Sequence, residues 1–275
     1  NEIPFSRFFD WEYSYEHLAD FISLHPTYFS ILVLISIYMV IFQSNYKSTA
    51  YKVVNGILLG FLFVFLILLG SKIAVLILFV FSNVALIIYI RRRRKLSLLI
   101  GYISLNLLMV TVALKTHVIY WRFRMAYETL KNTLNGSELS DYRFLHWKCA
   151  TKAVLQKPIF GWGTGDSLDP LNECYKDMKM NELVDYNAHN QFLETWLKIG
   201  LPGLLITSLC LVYPLYITIR NRHYLFTSVF STYVLIAFTE SIFSVQKGIA
   251  LHCLITSIYL GHICSSQKQM KGASI

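Results

Sequence analysis

Two features of the sequence suggest a chemical site. Residues 160–166, Phe-Gly-Trp-Gly-Thr-Gly-Asp, form a glycine-rich segment whose alternate glycines allow positive φ and close approach of the backbone to a ligand. His189 carries an imidazole that can accept a proton near neutral pH, and it precedes a long apolar stretch. Neither feature is specific alone, because most glycine-rich turns are only turns and a single histidine on an apolar face is usually structural.

Two charged residues beside apolar stretches are further candidates. Glu240 is the only acid beside the last three of these stretches, and an acid at such a position is usually paired or functional. Lys247 is the partner that the sequence offers for it. Lys72 lies at the end of another apolar stretch, where it is either a functional cation or an interfacial anchor whose ammonium group reaches back to water.

The composition that surrounds these residues is typical of a membrane protein. The chain is 55% apolar, and 15% of its 275 residues are charged, against about 25% in a soluble domain. Several stretches lack Asp, Glu, Lys and Arg and have about the length that a membrane-spanning helix needs, roughly 17–25 residues. The fold class that we predict is therefore an all-α, polytopic integral membrane protein with about seven transmembrane helices. The stretches are residues 28–44, 53–70, 73–90, 96–114, 199–219, 224–239 and 248–265.

The net charge of +9 reports the topology of these stretches. Of the 25 Lys and Arg residues, 11 lie in connections on one side, where the sequence has no acid. Because Lys and Arg collect at cytoplasmic ends of spans, that side is cytoplasmic, and the basic run 91–95 is a cytoplasmic turn rather than a nuclear signal or phosphate-binding patch. All 16 acids lie on the other side. No general basic surface remains for nucleic acid.

The external segment 115–198 carries most of the polar chemistry. We predict an amphipathic helix over residues 141–157 that ends at Pro158 and can lie on the membrane surface. A second helix is predicted over residues 187–199, with His189 on one face and Gly200 at its end. Cys149 and Cys174 both lie in this segment, so a disulfide is possible in an oxidising compartment if their Cα atoms approach within about 7 Å. The apolar face of the first helix comprises Phe144, Leu145, Trp147, Ala150, Ala153 and Val154.

His189 and the residues after it resemble a motif of the O-antigen ligase family. His189-Asn190, nine residues and then Gly-Leu-Pro-Gly at 200–203 are similar to the family's His-Asn/Ser/Gln, nine-residue gap and Gly-x-x-Gly. Arg143, with Trp147 and the glycine-rich residues 158–165, is similar to the stretch that opens the family's large periplasmic loop.

Two shorter segments support the resemblance. Gly-Ser-Lys-Ile-Ala at 70–74 lies where members show Ser-Arg, with Lys72 in place of the arginine. Residues 239–248, which include Glu240-Ser241 and Gln246, resemble a Glu-Ser…Arg-Gln-x-Gly segment of some members. The lysine keeps the charge but loses the planar fork that binds phosphate through two hydrogen bonds.

The resemblance implies a glycosyltransferase that moves a glycan from undecaprenyl diphosphate to sugars of the lipid A core, on the periplasmic side of the bacterial inner membrane. It implies that His189 activates the acceptor hydroxyl and that Arg143 stabilises the departing diphosphate. It also implies that no metal or cofactor is needed, and the sequence agrees in lacking an Asp-x-Asp pair. The substrate-binding candidates are Lys72, Asn190, Gly163, Gly165, Glu240 and Gln246.

The predicted organisation follows from this resemblance. Residues 1–114 hold a tail and four spans, residues 115–198 form the periplasmic catalytic loop, and residues 199–275 hold three spans and a short cytoplasmic tail. Members of the family usually have ten or more spans, so we expect this chain, which begins at Asn1, to be the C-terminal portion of a longer protein. The expected partners are the lipid-linked donor, a lipid A core or other glycan acceptor and membrane lipids, without nucleic acid.

Two other functions compete with the ligase. An O-antigen or capsule polymerase uses the same lipid-linked donor but a second lipid-linked glycan as acceptor. A transporter of lipid-linked sugars performs no covalent chemistry, and it predicts ionisable residues at mid-bilayer and broken spans in repeated halves. Apart from their ends, the seven stretches have neither feature.

Overall fold

A computed structural model describes residues 24–43, 48–93, 99–104, 106–107 and 142–272, with single residues elsewhere. Every regular element in these ranges is helical, in agreement with the predicted all-α class. Most of the predicted stretch 96–114 lies outside the described residues. The chain divides into two compact units, Asn1–Asp141 and Tyr142–Ile275, which we describe separately.

Among the residues that the structure describes in the first unit, three long helices have ends that follow from the local sequence. Pro26 begins α1, because proline suits the first turn, where no backbone N–H is needed. The hydroxyl of Ser48 caps α2 by accepting the N–H of Tyr51 at 3.2 Å. Gly70, at φ 61°, follows the end of α2 in the left-handed conformation that glycine adopts easily. The helices are α1 (Pro26–Gln43), α2 (Thr49–Leu68) and α3 (Lys72–Arg93).

The helices of this unit are apolar on the faces that pack together and also on their exposed faces. Helix α1 contacts α2 and α3, and the rings of Phe29 and Phe65 meet edge to face at 5.1 Å. Ile57 and Phe61 on α2 are nevertheless 69% and 63% exposed. An apolar outer face of this kind is typical of a helix that faces lipid. The buried side chains include Ile31, Leu34, Ile37, Leu66, Leu69 and Ile77.

Residues 142–272 of the second unit form five helices and two short 3₁₀ turns. Its longest helix, α6, packs against α4 and α7, and α4 packs against α5. Leu145, Leu171, Leu197 and Phe230 are buried between these elements. The elements are α4 (Tyr142–Gln156), α5 (Asp169–Asp177), a 3₁₀ turn (Asn181–Leu183), α6 (Gln191–Arg220), α7 (Tyr224–Ala237), a 3₁₀ turn (Ile242–Ser244) and α8 (Gln246–Gly272).

Helix α4 lies where the sequence predicts the first external helix. Leu145 and Ala153 are buried as expected, but Phe144 is 43% exposed. His146 and Cys149 are buried on this face. The buried face packs on α5 and α6.

Helix α6 begins later than the predicted second helix, but its regular geometry is interrupted at Gly200, where that helix was predicted to end. It begins at Gln191, because the side chain of Asn190 caps it by accepting the N–H groups of Phe192 and Leu193 at 3.0 and 3.1 Å. The prediction that His189 lies on a helical face is therefore wrong, since His189 precedes the cap. Gly200, at φ 73° and ψ −160°, breaks α6 near the predicted end.

Within the described residues, two helices are long and apolar enough to cross a membrane, Thr49–Leu68 and Gln191–Arg220. Pro26–Phe42, Lys72–Ile87 and Tyr224–Ala237 are shorter apolar helices. Length and composition of the two longer helices thus agree with a membrane protein.

Candidate active site

The loop before α6 holds His189 in a defined backbone conformation. His189 has φ 44°, in the left-handed region that a residue other than glycine seldom adopts. Its N–H donates to Oδ1 of Asn187 at 2.9 Å, and its carbonyl accepts from Nε1 of Trp147 on α4 at 3.3 Å. Such a conformation costs about 1–3 kcal/mol and persists only when its surroundings fix it, which is common at functional sites.

Glu240 joins His189 to Arg143. Glu240 lies just after α7, and only 8% of its side chain is exposed. Its Oε1 accepts a hydrogen bond from Nη2 of Arg143 at 2.8 Å. Its Oε2 lies 3.3 Å from Nδ1 of His189. These two contacts come from Arg143 and His189, and the pairing of Glu240 with Lys247 that the sequence offers stays a prediction.

The contact with Glu240 determines which nitrogen of His189 is available for chemistry. An ionised carboxylate only accepts hydrogen bonds, so Nδ1 of His189 must carry the proton in this contact. Nε2 of the neutral imidazole is then the proton acceptor. Arg143 supplies the positive charge that a nearly buried carboxylate requires. The three residues therefore form a chain of contacts in the order Arg143, Glu240, His189, which we call the Arg–Glu–His chain.

The sequence reasoning missed three further aromatic side chains. The rings of His146 and Tyr186 lie beside His189 of the Arg–Glu–His chain, and Tyr175 contacts His146. The ring centroid of His146 lies 4.9 Å from that of His189, and the ring of Tyr186 lies 6.0 Å from His189. Nδ1 of His146 lies 2.7 Å from the hydroxyl of Tyr175. Burial, with a smaller effect of the Glu194 charge, raises the pKa of Tyr175 above its usual range. The hydroxyl therefore stays protonated and is able to donate to Nδ1 of His146.

The sequence does contain a signal for His146. It follows Arg143 by three residues, and side chains at this spacing share one face of a helix. The predicted apolar face omitted His146 because histidine was not counted as apolar.

Glu194 anchors the loop from inside α6. Only 3% of its side chain is exposed. Its Oε2 accepts the N–H of Ala188 at 2.9 Å, and its Oε1 pairs with Nζ of Lys198 at 2.6 Å. A buried carboxylate thus fixes the residue immediately before His189.

The two glycine motifs meet each other through their backbones. The N–H groups of Trp162 and Gly163 donate to the carbonyls of Leu197 and Lys198 at 2.8 and 3.0 Å. A Cβ on Gly161 would lie 2.6 Å from the nitrogen of Gly200, and a Cβ on Gly200 would overlap the carbonyl of Ile159. Both glycines are therefore needed for this close approach.

Other glycines of the motifs differ in their surroundings. A Cβ on Gly203 would lie 2.6 Å from Cβ of Ile199, so Gly203 is also tightly packed. Gly163, at φ 93°, and Gly165 have open space where a Cβ would lie. Ligand contact at these two glycines stays a prediction.

A disulfide joins α4 to α5. Cys149 and Cys174 are bonded, with their Cα atoms 5.7 Å apart. The structure thus answers the question that the sequence left open. Cys210 and Cys253 are free thiols.

The remaining predicted residues lie in separate places. Asn190 caps α6 and donates from Nδ2 to the carbonyl of Phe238 at 3.1 Å, so it has a clear structural role. Gln246 is exposed at the first position of α8, and Lys72 is partly exposed at the first position of α3 in the other unit. Within the described ranges, no group of three His, Cys, Asp or Glu side chains is arranged to hold a metal ion.

Comparison with known proteins gives the site a family context. Residues 56–208 match the sequence profile described as O-antigen ligase. The chain is 27% identical over 206 residues to the ComP-specific O-oligosaccharyltransferase of Acinetobacter baylyi, covering 73% of this chain and 36% of that protein. It is also 35% identical over 94 residues to an uncharacterized protein of Haemophilus influenzae, covering 33% of this chain and 23% of that protein. The chain thus spans about a third or less of the length of these relatives. Because the profile covers more than half of its residues, the chain belongs to the O-antigen ligase family.

Proposed function

We propose that this chain is part of an O-antigen ligase-like glycosyltransferase, which moves a glycan from undecaprenyl diphosphate to a sugar hydroxyl of the lipid A core. Membership of the family and the similarity to an oligosaccharyltransferase support glycan transfer. The observation that carries the proposal is the Arg–Glu–His chain. It brings Arg143 and His189, the two catalytic candidates, onto one carboxylate.

In the proposed reaction, Nε2 of His189 accepts the proton of the acceptor hydroxyl. The hydroxyl oxygen forms a bond to the anomeric carbon of the glycan, and the bond from that carbon to the diphosphate breaks. The bonding electrons leave with undecaprenyl diphosphate, and the proton remains on His189 until solvent removes it. A positioned base of this kind contributes about 10²–10⁴ to the rate.

Glu240 is a positioning residue in this reaction. It holds Nδ1 of His189, and it stabilises the imidazolium that forms when Nε2 takes the proton. Arg143 is 35% exposed while it contacts Glu240. We infer that the guanidinium also contacts the departing diphosphate through its planar set of donors. Substrate binding by Lys72 stays a prediction.

We further propose that the chain crosses the inner membrane seven times. Residues 115–198 and the catalytic site then lie on the periplasmic side. The excess of positive charge in the other connections supports this orientation. The Cys149–Cys174 disulfide supports it independently, because disulfides persist in the oxidising periplasm and are rare in the cytosol. Residues 1–114 and 199–275 supply four and three of the spans.

The acceptor has a second candidate. The relative from Acinetobacter baylyi is named as a ComP-specific O-oligosaccharyltransferase. That similarity favours an alternative in which the same donor glycan is transferred to an oxygen of a different acceptor. Polymerisation onto a second lipid-linked glycan is a further outcome of the test below, whereas transport without chemistry leaves the Arg–Glu–His chain without a role.

The test expresses the full-length protein that contains this chain in a ligase-deficient bacterium. We expect the parent protein to restore lipopolysaccharide laddering, and we expect His189→Ala and Arg143→Ala to abolish it at equal protein level. His262→Ala and Arg220→Ala, in exposed positions of α8 and α6, are matched controls that keep laddering.

Three results would redirect the proposal. Laddering by both His189→Ala and Arg143→Ala contradicts the catalytic assignment. Accumulation of single repeat units in a deletion strain of the source bacterium favours the polymerase. Glycan attached to an acceptor oxygen outside lipid A favours the oligosaccharyltransferase.

A further inference from the structure

We propose that His146 is a positioning residue for His189, and that Tyr175 and the Cys149–Cys174 disulfide hold His146 in place for this role. The role presupposes the proposed function of His189 as the general base. His146 is 3% exposed and Tyr175 is fully buried, so neither is placed to contact a substrate. Their effect must pass through His189.

The contact with Glu240 does not suffice to fix the ring of His189. The distance of 3.3 Å between Nδ1 and Oε2 is long for a hydrogen bond to a charged group, which is usually about 2.7–2.9 Å. Rotation about χ2 of histidine is broad and roughly two-fold, so a flipped ring would move Nδ1 away from the carboxylate. Packing must therefore contribute to the orientation of the imidazole.

The rings of His146 and Tyr186 provide that packing. His146 lies 4.9 Å from His189 with 39° between the ring planes, and Tyr186 lies 6.0 Å from His189 with 29° between the planes. His146 and Tyr186 are 5.8 Å apart, so the three rings contact one another. Tyr186 is half exposed, and His146 is therefore the buried member of the group.

Tyr175 determines the orientation of His146. Its hydroxyl lies 2.7 Å from Nδ1 of His146, a short hydrogen bond between buried groups in which we assign the hydroxyl as the donor. Nδ1 is then an acceptor, and the neutral ring of His146 carries its proton on Nε2. A flipped ring would leave a buried hydroxyl without its acceptor, which is unfavourable by about 1–3 kcal/mol.

The disulfide runs beside this hydrogen bond. Cys149 follows His146 by three residues on α4, and Cys174 immediately precedes Tyr175 on α5. With the Cα atoms of the cysteines 5.7 Å apart, the two helices are covalently fixed about one helical turn from the hydrogen bond. The same two helices therefore carry a covalent link and the hydrogen bond that orients His146.

The test compares single-oxygen deletions in the full-length enzyme in proteoliposomes. Tyr175→Phe removes the donor to His146, and Tyr142→Phe, at a half-exposed position on α4, is the matched control. We expect Tyr175→Phe to lower kcat roughly tenfold, as slight misplacement of a reacting group does. We expect KM to change by less than about twofold, because no substrate contact is removed.

A double-mutant cycle separates positioning from general loosening of the fold. His146→Phe keeps a ring beside His189 but removes the acceptor. If Tyr175 acts through His146, Tyr175→Phe has no further effect on kcat in the His146→Phe background. Equal effects of Tyr175→Phe in both backgrounds, or a KM increase that accounts for the whole loss, overturn the proposal.

Histidine NMR provides a readout that does not depend on activity. With ¹⁵N-labelled histidine in the full-length protein, we expect the Nε2–H form for His146 and the Nδ1–H form for His189. Tyr175→Phe should give His189 a second set of signals, whereas unchanged His189 signals overturn the proposal. If His189→Ala keeps full transfer while Tyr175→Phe still alters the His189 signals, the general-base function fails and the positioning stands.

Discussion

Substituting Gly200 with alanine tests the close contact between the two glycine motifs. Gly200 has φ 73° and ψ −160°, a backbone region that is essentially restricted to glycine, and an alanine there is strained by about 1–3 kcal/mol. The added Cβ would also overlap the carbonyl of Ile159. The loop that contains Ile159 must then move away from α6.

The size of the effect follows from the hydrogen bonds that join this loop to α6. The N–H of Leu201 donates to the carbonyls of Pro158 and Ile159 at 3.1 Å, and the N–H groups of Trp162 and Gly163 donate to α6 at 2.8 and 3.0 Å. Loss of three such donors, at about 1 kcal/mol each, together with the strain gives about 4–6 kcal/mol.

Thermal unfolding of the purified full-length protein in lipid nanodiscs measures this loss. At about 2–4 °C per kcal/mol, the Gly200→Ala variant should unfold at least about 8 °C below the parent protein. Gly165→Ala is the matched control, because nothing lies within 4 Å of the position of its Cβ. A midpoint for Gly200→Ala that equals that of Gly165→Ala would refute the reasoning.

Two further predictions concern the helices α4 and α5. Cys149→Ser breaks the disulfide that closes a loop of 25 residues, so it should lower the unfolding free energy by roughly 3–4 kcal/mol. Cys210→Ser, at a free thiol, should change the unfolding free energy little. Equal unfolding midpoints for the two variants would contradict this prediction. Burial raises the pKa of Tyr175 in the folded protein above its ordinary value of 10.0, so folded-state stability should fall as pH rises beyond about 10, where the unfolded protein ionises first. Denaturant titrations between pH 9 and 11 should show a shallower fall for Tyr175→Phe than for the parent protein, and identical slopes would speak against it.

Helix positions were largely predictable from the sequence, because they depend on local properties. Charge-free apolar runs predicted α1, α2 and α3, and Pro158 correctly marked the end of α4. The helical periodicity of apolar residues in α4 predicted that Leu145 and Ala153 are buried, as they are. These signals require only neighbouring residues along one chain segment.

Contacts between distant segments were not predictable in the same way. Arg143 and Glu240 are separated by 97 residues, and no spacing rule links them. The start of α6 was misplaced because the apolar periodicity continues upstream through His189. In the structure the side chain of Asn190 caps the N-terminus of α6, so the helix begins at Gln191. The contact of His146 with Tyr175 was not predictable either, because the two residues lie on different helices.

The central claim, that Glu240 orients His189 for proton abstraction while it pairs with Arg143, is tested most directly by the transfer rate of Glu240→Gln. The measurement uses the full-length enzyme and a purified lipid-linked donor, with Glu173→Gln, at an exposed position on α5, as the matched control. We predict that kcat falls by at least about 10² for Glu240→Gln, with KM within about twofold and with Glu173→Gln unchanged. A kcat for Glu240→Gln that matches the Glu173→Gln control in folded protein would contradict the account.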